Sequence, residues 1–366
     1  MQVALAKEAL HDKIHLLEKV SGRQVTLPVL RGIHLATHQG GVTLTATNLD
    51  VGISAEVPGK VAAEGEVVVP ASLFASVVGS LPRGGTVSLS LEEGQLLVAG
   101  GSSQVRLATL PAEEFPSLPQ VEEGVSTTLP AVTLVSALRS VWHCASTSTI
   151  KPELASVYLF AEAGSLVSVA TDSFRLAEKR LRLPSGSSIE PLLLPIRNTP
   201  DVVRVFESAE GDVALEYNQN QLAFRVGDVY CTSRLTDGSF PDYQQIIPRE
   251  FLVSVVALRE ELAAAVRKAA LFAGSFNQVT LSIDPDEGVL VLRAESSEVG
   301  AVEDRVACAI EGEALTISFN QKYLADSVSA LETDSVTLSA AGPGRPLVVR
   351  GVGDESFLGL VMPMNR

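Results

Sequence analysis

The chain repeats itself at an interval too long for a stacked-repeat protein, and this constrains its fold more than any other feature. "GGVTLTATNLDVGISAEV" from Gly40 and "GSLVSVATDSFRLAEKRL" from Gly164 share one pattern: glycine, alternating apolar residues, Ala-Thr, Asn or Asp, then a second alternating run. A weaker third copy, "EGVLVLRAESSEVGAVEDRV", begins at Glu287. Ala46, Ala170 and Ala294 stand 124 residues apart at each step, 46 to 170 and 170 to 294. Pro70, Pro195 and Asn320 keep an interval of 125, and so do the Phe-Pro pairs at 115–116 and 240–241. Solenoid repeats run to roughly 20–50 residues, so each copy is a domain. The 366 residues divide into three of them.

Each copy reads alike. A helical pattern opens it, from Leu5, Thr128 and Ala257, with apolar residues three and four apart. Alternating strands follow, punctuated by turn signals such as Gln39-Gly40-Gly41 and Asp286-Glu287-Gly288. A short strand and a second helix follow in "VVVPASLFASVV", "LLLPIRNTPDVV" and "ISFNQKYLADSV". The fold class is therefore α+β, three tandem similar domains of antiparallel sheet with helices on one face. Boundaries fall near 121–127 and 247–253, giving domains 1–122, 123–248 and 249–366.

Composition removes several function classes. Lys+Arg 28 against Asp+Glu 43 leaves a formal charge of −15, which argues against a generic nucleic-acid coat while leaving room for one basic face. With 46% hydrophobic residues the chain can fill its cores, mostly with aliphatic side chains since aromatics are 5%. No run reaches the roughly 18 apolar residues of a membrane span, and the charged start "MQVALAKEALHDKIHLLEKV" reads as an amphipathic helix, not a signal peptide. Cys144, Cys231 and Cys308 are isolated, which fits reduced thiols in a cytoplasmic protein. The five histidines lack metal-ligand spacing, and neither a Walker A loop, a Gly-x-Gly-x-x-Gly nor a Gly-x-Ser-x-Gly is present. No metal and no cofactor are expected.

The Thr171-Asp172 pair can be read two ways. Copy one carries Thr47-Asn48 and copy three Glu295-Ser296 at the same place, and such residues suit a turn. The alternative is a catalytic site built on Asp172 and Arg175. Phe174-Arg175-Leu176 sets copy two apart from the others.

The threefold repeat, "ATDSFRLA", "DGSFPDYQQIIP", "FNQKYLADSVSAL" and the terminal "VMPM", taken in order over the whole chain, resemble the bacterial DNA sliding clamps, the beta subunits of DNA polymerase III. The resemblance implies a non-enzymatic processivity factor with the DNA clamp fold. Two chains would form a head-to-tail homodimeric ring around duplex DNA, without sequence preference, with helices lining the hole and sheets outside. Implied partners are DNA polymerase III and other polymerases, a clamp loader, and repair proteins carrying clamp-binding peptides. No membrane is implied. A three-domain peptide-binding scaffold that never encircles DNA is the alternative.

Carried over motif by motif, a partner-peptide cleft would comprise Leu154, Thr171, Ser173, Phe174, Arg175, Leu176, Pro241, Ile246, Phe276, Asn320, Tyr323, Val361, Met362, Pro363 and Met364. DNA-facing cations would include Arg23, Arg139, Arg197, Arg204, Arg267 and Lys268, with Lys7, Lys13, Lys19 and Lys322 as further helix-borne candidates. At the dimer seam, Val105 and Leu107 would meet Leu271 and Phe272, and Arg106 would pair with Glu298, Glu303 or Asp304. The sequence departs from the family pattern at Gln244-Gln245, where a basic pair is usual, and at Ser173-Phe174, where Gly-His is common. Pro152-Glu153 replaces aromatics expected before the second domain's first strand.

Overall fold

The computed structural model describes residues 1–21, 27–207 and 209–364. Among these, each copy contributes eight strands and two helices in one order. Copy one holds β1 (Gln2–Ala6), α1 (Lys7–Glu18), β2 (Gly32–His38), β3 (Gly41–Thr47), β4 (Val51–Ala63), β5 (Glu66–Pro70), α2 (Ala71–Ser80), β6 (Thr86–Glu92), β7 (Gln95–Gly100) and β8 (Ser103–Ala108). Copy two holds β9 (Val125–Pro130), α3 (Ala131–Val141), β10 (Ser156–Glu162), β11 (Ser165–Thr171), β12 (Arg175–Arg182), β13 (Leu192–Pro195), α4 (Thr199–Phe206), β14 (Asp212–Tyr217), β15 (Gln221–Val226) and β16 (Val229–Arg234). Copy three holds β17 (Val253–Leu258), α5 (Arg259–Ala270), β18 (Gln278–Asp284), β19 (Val289–Ser296), β20 (Gly300–Gly312), β21 (Leu315–Asn320), α6 (Gln321–Ser329), β22 (Ser335–Ala340), β23 (Leu347–Gly351) and β24 (Asp354–Val361).

The expectation that each copy opens on a helix needs correction. A strand comes first: Gln2–Ala6 pairs with both β4 and β6, and Val3 and Leu5 are buried. The alternation Val-Ala-Leu-Ala carries strand period, but it runs without a break into the helical spacing of Leu10, Ile14 and Leu17, which hides the junction. The same merger hides β17, whereas at β9 Pro130 stands at the junction with α3.

The chain forms two compact units, Met1–Val135 with Arg197–Leu235, and Ser136–Ile196 with Thr236–Arg366. The first unit carries a sheet of twelve antiparallel strands whose main path runs β8-β7-β6-β1-β4-β16-β15-β14-β9. α1 packs on α2 and lays Leu10, Ile14 and Leu17 against β3 and β4. The second unit carries another twelve-stranded sheet, ordered β13-β10-β11-β12-β24-β23-β22-β17-β20-β19-β18-β21. There α5 buries Leu262, Ala265, Val266 and Ala269, and packs on α6. Spacings of three and four place each set on one helix face.

Both sheets contain a join between copies, and the joins follow one rule. In the first unit β16 of copy two adds to β4 of copy one, from Val51↔Ser233 to Ala55↔Val229. In the second, β24 of copy three adds to β12 of copy two, from Arg175↔Val361 to Lys179↔Phe357. A backbone bond extends each join by one residue, Arg234 N–H to Asp50 O at 2.9 Å and Met362 N–H to Phe174 O at 2.8 Å. The segment after β16 folds back over the second join. Tyr243 donates to the buried Glu178 carboxylate and packs with Val167, Val169, Leu176 and Leu360, while Phe240, Ile247 and Met362 close the cluster's margin.

Candidate functional site: a groove at one join and open edges at two strands

The Thr-Asp turn is built the same way in copies one and two. Thr47 Oγ1 donates to Val51 O at 2.8 Å and accepts from Leu49 N–H at 3.0 Å. Thr171 Oγ1 donates to Arg175 O at 2.7 Å and accepts from Ser173 N–H at 3.1 Å. Asn48 Oδ1 accepts from the Asp50 and Val51 amides at 3.0 and 2.8 Å, and Asp172 Oδ1 from Phe174 and Arg175 at 2.9 and 3.0 Å. Leu49 and Ser173 both sit at φ 76°, in the left-handed region. Asp172 is thus engaged in a turn that copy one makes with an uncharged amide.

What copy two adds lies one residue further on. Phe174 stands 62% exposed, and the Arg175 guanidinium is held on three sides. Its Nε donates to Asp172 Oδ2 at 3.0 Å, its Nη1 to Asp326 Oδ2 at 2.5 Å, and its carbon lies 4.5 Å over the Tyr323 ring. Burial alone would lower the Arg175 pKa; the two carboxylates reverse the direction, so the cation persists. Tyr323 and Asp326 share a face of α6 three residues apart, as Tyr-x-x-Asp spacing dictates. Sequence reasoning missed Asp326, although that spacing was available as a signal. It also missed His143, in the turn after α3, whose buried Nε2 has no hydrogen-bond partner among the described residues. Burial pushes His143 down to about 4, with Asp326 pulling against it and Arg175 pushing the same way.

The predicted cleft residues divide by burial. Phe174, Ser173, Pro241 and Ile246 are exposed, and Arg175, Tyr323, Met362, Pro363 and Met364 are half-buried. The Met362 amide bonds to Phe174 O and the Met364 amide to Ser318 O, both at 2.8 Å, which fixes the 361–364 segment between β12 and the end of β21. Leu154, Thr171, Leu176 and Val361 are at most 7% exposed, so they back the groove and do not surface it. Strand alternation explains this for Leu176, which points with Leu360 into the cluster under the join; Val361, one residue on, is buried on the other face. Asn320 caps α6, its side-chain oxygen accepting from Lys322 N–H at 3.0 Å. Phe276, 77% exposed, lines a depression of about 890 Å³ with Arg293, Glu298 and Glu303, on the surface where the seam was expected.

At the expected seam, the same stretch is covered in two copies and bare in the third. Val51–Ala55 of β4 and Leu176–Lys179 of β12 are largely buried beneath their added strands, whereas Gly300, Ala301 and Glu303 of β20 are exposed. β20 pairs with β17 through Ala257↔Cys308 to Val253↔Gly312, leaving the second edge of Gly300–Asp304 unpaired among the described residues. Among the described residues β8 likewise pairs only with β7, while its counterparts β16 and β24 are paired on both edges. Leu271 is 71% exposed, and the Phe272 ring lies beside Gly300.

Some seam details need correction. Leu107 is 2% exposed and faces its own core, so it offers no contact; Val105, on the same face two residues earlier, is half-buried, and Arg106 lies on the other side of the pleat. Arg106 pairs with Glu92 within the chain at 3.2 Å, Glu303 with Arg293 at 2.8 Å, and Asp304 with Lys268.

The candidate DNA-facing cations are mostly paired. Arg23 lies outside the described residues. Arg197 precedes α4 and meets Asp50 at 3.1 Å, Arg204 meets Asp201 at 2.8 Å, and Lys13 meets Asp228 at 2.6 Å. Lys7 is buried, so it faces no ligand; Arg139 and Arg267 are exposed on α3 and α5. Among the described residues no cluster of His, Cys, Asp or Glu could hold a metal, and no helix is long and apolar enough to cross a membrane.

Comparison with known proteins accounts for the whole chain. Residues 1–119, 128–242 and 244–365 match the N-terminal, central and C-terminal domains of the DNA polymerase III beta subunit. The beta sliding clamp of Synechococcus elongatus is 31% identical over 372 residues, covering 100% of this chain and 99% of that protein. The Staphylococcus aureus beta sliding clamp is 28% identical over 375 residues with the same coverage. The structure of the Bacillus subtilis DNA polymerase sliding clamp superposes with a TM-score of 0.93 at 28% identity, covering 100% of this chain and 99% of that one. A Pseudomonas aeruginosa sliding clamp bound to griselimycin gives 0.93 at 28% identity, with full coverage of both chains. Threefold repeat, strand-addition joins and full-length similarity converge: this chain belongs to the DNA polymerase III beta subunit family, the beta sliding clamps.

Proposed function

We propose that this processivity factor works as a homodimer, two chains closing head to tail into a ring around duplex DNA. One observation carries this reading: the β4-type stretch is buried in copies one and two and bare in copy three, while β8 keeps an open edge. An edge donor and an edge acceptor at opposite ends of one chain suit a second copy. Transferring the internal pairing by the repeat sets the Ser103–Ala108 edge antiparallel to the open edge of β20 that begins at Gly300. Val105 would then reach Leu271 and Phe272, and Arg106 would exchange Glu92 for Glu298 or Glu303 of the other chain.

The domains in this reading are 1–122, 123–248 and 249–366. The ring tethers and does not catalyse: its effect is to hold a polymerase at high effective concentration near the template. The net charge of −15 suits sliding, because each tight phosphate contact adds a salt-dependent barrier. Arg139 and Arg267 are the exposed helix cations best placed to attract DNA without sequence preference. The groove of Phe174, Arg175, Tyr323, Ile246 and Met362–Met364 docks peptides from DNA polymerase III, other polymerases, the clamp loader and repair proteins in the cytoplasm. Two methionines give it an adaptable apolar lining. Griselimycin, bound by the Pseudomonas aeruginosa relative, should compete with polymerase peptides for it.

The test is topological. Chains loaded by the clamp loader and ATP onto a nicked circular plasmid should stay bound through gel filtration and be lost when the plasmid is cut to linear form. Equal loss from circle and line would leave only a peptide-binding scaffold. Deleting 362–366 should abolish polymerase-peptide binding and keep the dimer; wild-type affinity after truncation would refute the groove.

A further inference from the structure

We propose that Asp326 is a positioning residue of the docking groove, which pins the Arg175 guanidinium over the Tyr323 ring and cancels its charge towards an incoming peptide. The proposal rests on the docking reading of the groove and names the peptide chemistry that the groove selects. Arg175 is the groove's most obvious anchor for an acidic side chain, yet its fork is already occupied. Asp172 takes Nε at 3.0 Å, Asp326 takes Nη1 at 2.5 Å, and Tyr323 covers one face at 4.5 Å. The Arg175 side chain is 13% exposed, while that of Asp326 is 45% exposed. One guanidinium between two carboxylates leaves a local charge of −1, and the solvent-facing part of it is Asp326. A peptide carboxylate arriving here meets repulsion; an amide or other neutral donor does not.

The pinning also fixes the shape of the wall. Arg175 and Asp326 are 151 residues apart in sequence, on β12 and α6, so their bond ties the two sides of the groove together. With edge and face both held, Arg175 needs no ordering when the peptide docks, and preorganisation of this kind favours binding. Asp172 cannot supply this role, because its other oxygen is committed to the turn amides and its side chain is 14% exposed.

The experiment uses the full-length chain and a fluorescent peptide from the replicative DNA polymerase, with a glutamate scan of that peptide. Wild type should bind the glutamate variant nearest Arg175 about tenfold more weakly than the parent. Asp326→Asn should bind the parent peptide about three- to fivefold more weakly and shrink the glutamate discrimination to about twofold. Glu332→Gln, an exposed charge loss outside the cluster, should leave both values at wild type. A second readout needs no peptide: hydrogen exchange at the Arg175 Nη1 protons should quicken about tenfold in Asp326→Asn. Unchanged discrimination and exchange in Asp326→Asn would overturn the proposal, as would an equal change in Glu332→Gln. Failure of the wild type to bind the polymerase peptide at all would instead sink the docking reading, with the exchange measurement still deciding whether Asp326 pins Arg175.

Discussion

Replacing Leu271 and Phe272 together by alanine tests the seam most directly. Leu271 follows α5 and is 71% exposed, so nearly all its side chain is available to a second chain. Fully burying a leucine side chain is worth about 1.5–3 kcal/mol, which leaves about 1–2 kcal/mol at each seam. Phe272 is half-buried already, with its ring 3.9 Å from where a Cβ on Gly300 would stand, and adds about 1 kcal/mol. A closed pair of chains has two identical seams, so the double variant loses about 5 kcal/mol and its dimer weakens by three to four decades. Light scattering behind size exclusion, at low micromolar concentration, should give twice 38.6 kDa for wild type and 38.6 kDa for the variant. Leu73→Ala, on α2 and 50% exposed, removes a comparable apolar surface from neither open edge and should stay dimeric. A double variant that keeps the larger mass would refute the seam, and a wild type at the smaller mass would refute the ring.

Two further outcomes follow from the turn and the buried imidazole. Asn48→Ala removes the acceptor of two backbone amides and should cost about 1–2 kcal/mol in urea unfolding, while Asn48→Asp should cost far less; an unchanged midpoint in Asn48→Ala would mean that the side chain does not hold the turn. His143 stays neutral in the folded chain, pushed down to about 4 from 6.5, so the unfolded chain takes up a proton first as pH falls. Its contribution to stability is whole above the unfolded value and is lost progressively between about 6.5 and 4. His143→Phe should therefore gain about 2 kcal/mol on wild type between pH 7 and pH 5, and parallel stability curves for the two proteins would contradict it.

The repeat made most of the architecture legible. A fixed interval aligns strands and helices whose individual signals are weak, and the Thr-Asn and Thr-Asp turns could be equated before any hydrogen bond was seen. β1 and β17 were hidden because an alternating run abuts a helical one with no glycine or proline between them, whereas at β9 Pro130 marks the junction. Within the site, exposed Phe174 and Ile246 and buried Leu176 and Val361 carry the same apolar label, and only the packing of the folded chain around the join separates them. The partnership of Arg175 with Asp326 spans 151 residues, a distance over which charge patterning in sequence says nothing. Phe276 was assigned by motif to one surface and lies on the rim of another, because the loop after α5 serves both α6 and the β20 edge.

The joins also set an order on synthesis. β12 ends at Arg182, but the strand that covers its edge begins at Asp354 and leaves the ribosome long afterwards. β4 waits in the same way for β16. Copies one and two are each finished by the last strand of the next, a lag on the order of ten seconds at ordinary elongation rates. During that lag the nascent chain carries an unpaired edge, which makes aggregation a hazard of translation and not only of dissociation. A prematurely released chain lacking β24 has no wall opposite Phe174, so the capacity to recruit a polymerase arises only in chains translated through that strand.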